Sequence, residues 1–253
     1  MLLTVDMGNT NIKLGVFKGD DLISTGVTST ERGKTSELYA IEIKQILTHK
    51  GIDCAAFTGA IISSVVPEIT QRIKSAVEDV TGVKPIVVGP GVKTGINIKI
   101  DDPRTLGSDL LVGALAASER YPSPCYVIDL GTATKISVVS NKIYRGCTIA
   151  PGVRISLSAL SGSASQLFSI PLEAPPRAIG TNTVDSMQSG VIFGAAAMLD
   201  GMIERFNEET GVDAFVVATG GNAGMIIPHC KKKITLDKNL ILYGLKSIYD
   251  KNM

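Results

Sequence analysis

The stretch Leu2 to Lys13, LLTVDMGNTNIK, ends an apolar β run on an acid and a glycine and then starts a second one. Leu2 to Val5 reads as a strand, with Asp6 where it ends. Gly8 and the small polar group Asn9, Thr10 and Asn11 make a tight turn, and Ile12 to Phe17 reads as a second strand. Such a turn brings backbone close to a ligand at Gly8, with hydroxyl and amide donors and one carboxylate beside it. That set suits a phosphate chain with its Mg²⁺, the donors facing phosphate oxygens and the acid facing the metal or its waters. Taken alone, it equally describes a hairpin whose polar turn faces water. The pattern recurs at Tyr126 to Val139, YVIDLGTATKISVV, where a shift of 123 positions lays Asp6 on Asp129, Gly8 on Gly131 and Asn9 on Thr132. Two copies half a chain apart point to two similar α/β domains facing a shared cleft, one copy holding phosphate from each side.

Composition narrows the function. A length of 253 residues fits one large or two modest domains, and 44% hydrophobic residues are enough for buried sheets. A net charge of +1 gives no field to recruit nucleic acid or anionic lipid, and the absence of Trp leaves little for stacking single-stranded bases. Cys54, Cys125, Cys147 and Cys230 are scattered without metal-ligand spacing and read as small buried residues of a reducing compartment. His49 and His229 stand alone and read as surface or helix-end residues. The N-terminus begins as a strand with no basic region before it, so no signal peptide is expected. The apolar stretch Val191 to Leu199 is too short to span a bilayer. A cytoplasmic protein is the expectation, with no nucleic-acid or membrane partner.

Along the chain, Leu22 to Thr28 reads as a third strand. A helix starts near Ser36 with Leu38, Ile41, Ile46 and Leu47 on its apolar side. Phe57 to Ile62 is a strand running into Ser63-Ser64-Val65-Val66-Pro67, whose serines either face phosphate or cap the helix that starts at Glu68. Pro85 to Val88 and Ile96 to Ile100 are further strands. Neither G-x-G-x-x-G nor G-x-x-x-x-G-K-[ST] occurs, which excludes a dinucleotide fold and a P-loop kinase. Thr105 to Asp109 leads into a helix to about Arg120, with Asp109 in the first turn, either as a dipole-stabilised acid or as a general base beside Gly107. Tyr121-Pro122-Ser123-Pro124 marks the boundary between domains 1–119 and 120–253. The second half adds a strand Lys142 to Thr148, a helix from Pro151-Gly152 to Leu160 and a small-residue loop Ser161 to Ser165. A long helical pattern runs from Thr183 to Glu209 with Gly190, Gly194 and Gly201 inside it, where glycine costs stability and implies a close helix or ligand approach. The strand Phe215 to Ala218 ends in Thr219-Gly220-Gly221-Asn222, either a backbone platform for adenine or a tight turn. A last helix, about Asn239 to Tyr249, closes the chain.

With these pieces in place, the chain resembles the type III pantothenate kinases. The resemblance rests on DMGNTNIK (Asp6 to Lys13), SSVVP (Ser63 to Pro67), DPRTLGSD (Asp102 to Asp109), DLGTAT (Asp129 to Thr134), PGVRISLSAL (Pro151 to Leu160), NTVDSMQSG (Asn182 to Gly190) and ATGGNA (Ala218 to Ala223). Each motif is weak singly; seven in order are specific. The resemblance implies two ribonuclease-H-like domains of the actin-like ATPase superfamily, with the nucleotide cleft between them. It implies a homodimer that phosphorylates pantothenate with ATP to 4′-phosphopantothenate, the first step of coenzyme A synthesis, using Mg²⁺ and a monovalent cation, K⁺ or NH₄⁺.

Residue by residue, the resemblance implies that Asp6, Met7, Gly8, Asn9, Thr10, Asn11, Ile12 and Lys13 bind the ATP phosphates, with Asp6 near the Mg²⁺. Thr132 contacts ATP and Asp129 helps hold the monovalent cation. Asp109 is the catalytic base; Gly107, Ser108, Asp109 and Leu110 line the pantothenate site, and Thr183 reaches pantothenate across the dimer interface. The usual Gly-Ala-Asp-Arg reads Gly107-Ser108-Asp109-Leu110 here, so the arginine that meets the substrate is replaced by an apolar side chain. Ile100 stands where Tyr is usual near the substrate, and Lys135 where Thr is usual beside the ATP-facing turn. Arg104 and Lys135 are the nearby cations that would compensate for Leu110. The altered pocket leaves two further readings: a kinase for another small acceptor, or a non-catalytic nucleotide-binding or regulatory relative. Neutral charge and the intact acids argue against direct DNA binding.

Overall fold

A computed structural model describes all residues, Met1 to Met253. The first half of the chain forms β1 (Leu2–Met7), β2 (Asn11–Lys18), β3 (Asp21–Ser29), α1 (Ser36–His49), β4 (Gly59–Ser64), α2 (Pro67–Thr81), β5 (Ile86–Val87), β6 (Asn97–Ile98) and α3 (Ser108–Arg120). There follow β7 (Cys125–Leu130), β8 (Ala133–Ser140), β9 (Ile143–Pro151), α4 (Val153–Ser163), α5 (Thr183–Thr210), β10 (Phe215–Thr219), the single-turn α6 (Ala223–Ile226), β11 (Thr235–Leu236) and α7 (Leu240–Asn252).

The chain divides into two compact units, Met1–Asn97 with Asp101–Ala116 and Asn239–Met253, and Ile98–Ile100 with Ala117–Lys238. The expected division at 119 and 120 put the closing helix in the second half. By its contacts α7 belongs to the first unit, where Tyr243 meets Phe17 of β2 edge-on at 5.4 Å. An apolar helix face follows the surface that it covers, whatever its place in the chain.

Each unit is built on a sheet of the same plan. The first has the order β3-β2-β1-β4-β5, and the second β9-β8-β7-β10-β11, with β6 added beyond β9. In both, three antiparallel strands are followed by parallel ones: β1 pairs β4 and β7 pairs β10 in parallel. The central strands are buried on both faces, which is why they read as continuous apolar runs rather than alternating ones. Even a bulge repeats, between Val16 and Phe17 in β2 and between Val138 and Val139 in β8.

The first turn has three residues, Gly8 to Thr10, and the second only two, Gly131 and Thr132. After the turn the copies therefore correspond at a shift of 122, which an ungapped comparison misses. Lys13 and Lys135 become equivalent, facing Asp6 and Asp129 across their ladders.

Several expectations need correction. The inner face of α1 is Tyr39, Ala40, Ile43 and Leu47, while Leu38 and Ile41 are 49% and 52% exposed. An apolar stripe wider than one face gave two solutions, and the buried one is that which includes the aromatic ring. Cys147 is exposed, whereas Cys125 is buried and its thiol is pushed up to about 12 by desolvation. Residues 161–163 continue α4 instead of opening a loop, and β6 covers only Asn97–Ile98 of the expected strand.

Tyr39 is fully buried and its hydroxyl clamps the segment after β3, donating to Glu31 O at 2.7 Å and accepting from Glu31 N at 2.9 Å. Tyr39→Phe is expected to lower stability by about 1–2 kcal/mol, because it removes both bonds from one backbone unit. The shift in urea midpoint at unchanged m-value measures it.

Candidate active site

The first turn is shaped from behind by Thr30, at the end of β3. Thr30 N donates to Thr10 O at 2.9 Å and Thr30 Oγ1 to Gly8 O at 2.7 Å. Two acceptors that would repel a phosphate are thus engaged. Asn9, Thr10 and Asn11 are exposed at the turn, and Asp6 and Lys13 are half-buried on facing strands. Met7 and Ile12 are fully buried, so only their backbone is available to a ligand.

Asp6 lies beside Ser63 in the parallel ladder of β1 and β4. Ser63 and Ser64 do not cap α2: its N-cap is Val66, without a side-chain bond, and Pro67 opens the helix. Ser64 instead accepts from Val66 N at 3.2 Å and shares a 2.7 Å bond with Thr70 Oγ1. Ser63 meets the N-terminus of α3, its Oγ standing 3.0 Å from that of Ser108. Ser108 Oγ also donates to Ser64 O at 2.9 Å. This hydroxyl, in the place of the usual alanine, pins the start of α3 to the end of β4. Asp109 follows in the first turn of α3, half-buried, with Oδ1 accepting from Leu110 N at 2.8 Å. A Cβ on Gly107 would stand 2.7 Å from that same Oδ1, so the glycine makes room for the carboxylate. Leu110 is half-buried. Arg104 does not compensate for it: its guanidinium grips Asp102, with Nε 2.9 Å from Oδ1 and a second bond of 3.1 Å to Oδ2. That pairing holds the Asp102 carboxyl below its usual range.

The second turn is enclosed more tightly. Asn222 N donates to Leu130 O at 3.0 Å, Asn222 Nδ2 to Gly131 O at 3.1 Å, and Gly152 N to Thr132 O at 3.2 Å. Gly220 has φ +99° and lies against the Leu130 backbone, so the Thr-Gly-Gly-Asn segment is first a tight turn that brings Asn222 to this site. Gly221 is exposed with open space above it. At Asp129, Lys135 Nζ stands 2.9 Å from Oδ2, with side chains 15% and 24% exposed respectively. Lys135 is therefore taken up by Asp129 and, like Arg104, is no substitute for the arginine missing at 110.

Thr183 is the first residue of α5, exposed, after the N-cap Asn182, whose side chain accepts from Asp185 N at 2.9 Å. It borders a groove of about 610 Å³ with Leu160, Leu167, Ser186 and Met187. Gly190 and Gly194 are exposed on α5, and no atom of the chain would meet a Cβ there, so the close approach expected of them does not occur within one chain. Ile100 lies with the second unit.

A sequence model of the type III pantothenate kinases matches residues 2–205. The chain belongs to the type III pantothenate kinase family. Relatives of that name from Moorella thermoacetica and Myxococcus xanthus are 41% and 42% identical to it, over 100% of this chain and 100% and 99% of theirs. One from Shouchella clausii is 43% identical over the full length of both. Among solved structures, one described as a Baf family transcriptional activator from Campylobacter jejuni aligns with a TM-score of 0.60 at 21% identity, over 99% of this chain and 98% of that one. The activator of 2-hydroxyisocaproyl-CoA dehydratase from Clostridium difficile, solved with ADPNP, aligns at 0.58 and 13% identity, over 99% and 95%. At such identities the likeness is one of fold, the two-domain fold of actin-like ATPases.

Of the groups that the type III pantothenate kinase family implies, Mg²⁺ fits. A half-buried carboxylate at a strand end beside a donor-rich turn is a hard oxygen site, and Mg²⁺ needs only one or two carboxylates when phosphates and waters complete its shell. No cluster of three or more metal-binding side chains is required or present. A monovalent cation on Asp129 does not fit in the same way. The single negative charge of the carboxylate is already paired with an ammonium, so a second cation would find little net attraction there: repulsion by the ammonium, about 4 kcal/mol at roughly 4 Å and an effective dielectric of 20, offsets most of the pull of the carboxylate.

Asn222, Gly152 and Thr30, which support the two turns, were not singled out as site residues from the sequence, and the bonds of Ser108 to Ser63 and Ser64 were not foreseen, because their signal is contact between segments distant in the chain. A Cβ at Gly152 would fall 2.2 Å from Thr132 O and 2.8 Å from Gly131 O. Gly152→Ala is expected to cost about 1–3 kcal/mol through this overlap, with Gly221→Ala within about 0.5 kcal/mol of wild type. Thermal melting of both variants measures the contrast.

Proposed function

We propose that this chain phosphorylates pantothenate with ATP and Mg²⁺, the first step of coenzyme A synthesis. The observation that carries this reading is membership of the type III pantothenate kinase family, with relatives of that name matched over the full length of the chain. Phosphoryl transfer needs positioning and charge neutralisation more than covalent chemistry. Gly8, Asn9, Thr10, Asn11 and Lys13, with the backbone of Met7 and Ile12, hold the phosphates, and Thr132 contacts the nucleotide. Asp6 would hold the Mg²⁺ or its waters, and the metal would supply charge neutralisation for the phosphoryl group. Asp109 takes the proton from the acceptor hydroxyl, with Gly107 leaving space for its carboxylate and Ser108 fixing the helix that bears it.

Gly107, Ser108 and Leu110 line the acceptor pocket, and Thr183 contributes from a second copy of the chain. Gly190, Gly194 and Gly201 support a dimer through α5: three open glycines at helical spacing weaken a helix without a neighbour and admit close approach with one. Gly194→Leu is expected to shift a dimer to monomer in light scattering and to weaken pantothenate binding with it.

Asp109→Asn is expected to keep the melting temperature and ATP affinity while kcat falls by about 10²–10⁴. Calorimetric ATP titration together with turnover separates the two, and near-normal kcat in the variant would remove Asp109 from the mechanism. Leu110→Arg restores a charged donor fork and is expected to lower KM for pantothenate about tenfold to a hundredfold at similar kcat. Steady-state kinetics reads this directly; an unchanged KM would mean that Leu110 does not face the acceptor.

A further inference from the structure

We infer that Lys135 is a built-in monovalent cation: its ammonium, paired with Asp129 beside the second turn, occupies the place of the K⁺ or NH₄⁺ that the family implies there, so that the reaction runs without a monovalent salt. The inference rests on the nucleotide-site reading above.

Three observations carry it. Lys135 Nζ lies 2.9 Å from Asp129 Oδ2, and both side chains are largely withdrawn from water at 15% and 24% exposure. This differs from the exposed Arg104–Asp102 pair, which water and salt screen. Second, the pair is fixed by the fold. Asp129 and Lys135 are direct cross-strand partners in β7 and β8, and the flanking Thr134 and Ile136 are buried, so the ladder fixes the backbone from which the two side chains meet. Third, Asp129 leads directly into the turn that the proposed function assigns to the nucleotide. The turn Gly131–Thr132 follows Asp129 directly, and its carbonyl oxygens are engaged by Asn222 and Gly152.

An ammonium and K⁺ carry the same charge and have closely similar radii. A lysine delivers that charge as a compact point with three donors. A tethered cation costs no binding step and cannot be diluted away, so the chain replaces a salt-dependent equilibrium with a covalent attachment. A pair that served stability alone would not alter the response to salt.

The test uses the full-length chain with Mg²⁺ and ATP in potassium nitrate or tetramethylammonium nitrate at equal ionic strength. Wild type is expected to show turnover and ATP affinity within about twofold between the salts, and no saturable thallium-205 line broadening that potassium nitrate competes away. Lys135→Thr is expected to lose about tenfold or more in tetramethylammonium, to recover with K⁺ or NH₄⁺, and to gain the thallium signal. Lys135→Met supplies the same comparison without a replacement hydroxyl. Wild type that needs K⁺ by more than about tenfold, or that binds thallium competitively, overturns the inference while leaving the kinase reading intact. Absence of ATP binding in both salts overturns the nucleotide-site reading, and this inference with it.

Discussion

A phosphate-binding turn has to present donors while its own carbonyl oxygens point at something else. In both hairpin turns most of these oxygens are taken up, by different means. In the first, Thr30 takes Gly8 O and Thr10 O with one hydroxyl and one amide. In the second, Asn222 and Gly152 take the carbonyls of Leu130, Gly131 and Thr132. An unsatisfied carbonyl at either turn would cost free energy and repel the ligand. The residues that satisfy them explain much of the surrounding structure. Thr30 is in place because Tyr39 clamps the next residue, and Asn222 because the Gly220 turn folds back over β7.

The elements that repeat between the units are those that present an acid and a turn: β1-β2 and β7-β8, each with a parallel neighbour on the same side. What differs is local chemistry. In the first unit the parallel neighbour β4 ends in Ser63 and Ser64, and these hold Ser108 and hence the helix that carries Asp109. In the second, β10 leads to the glycine turn that buttresses Leu130 and Gly131. One sheet plan thus supports an acid-bearing helix in one unit and a buttressed turn in the other. This division suits a reaction whose catalysis is mainly positioning.

Much of the fold was legible because its signals are local. The apolar runs of β1, β2, β7 and β8 and the glycine turns could each be read from a few neighbouring residues. The repeat was also visible, but only in its first half, because the second turn is one residue shorter. That deletion hid the correspondence of Lys13 with Lys135. The roles of Ser63, Ser64 and Ser108 were hidden for another reason: their partners lie about 45 positions away or across a helix start, and a serine before a proline-led helix resembles a cap. The placement of α7 in the first unit depends on which surface remained uncovered, which no single segment records. Leu110 was legible as a departure, and the structure adds that Arg104 is already taken by Asp102.

The most direct test is a mass-spectrometric assay of the purified chain with ATP, Mg²⁺ and a panel of small hydroxy acids that includes pantothenate. Phosphorylated pantothenate formed in step with ADP, and in excess over every other acceptor, is the expected result. Preferential phosphorylation of a different acceptor, or ATP bound with no acceptor phosphorylated, would contradict it.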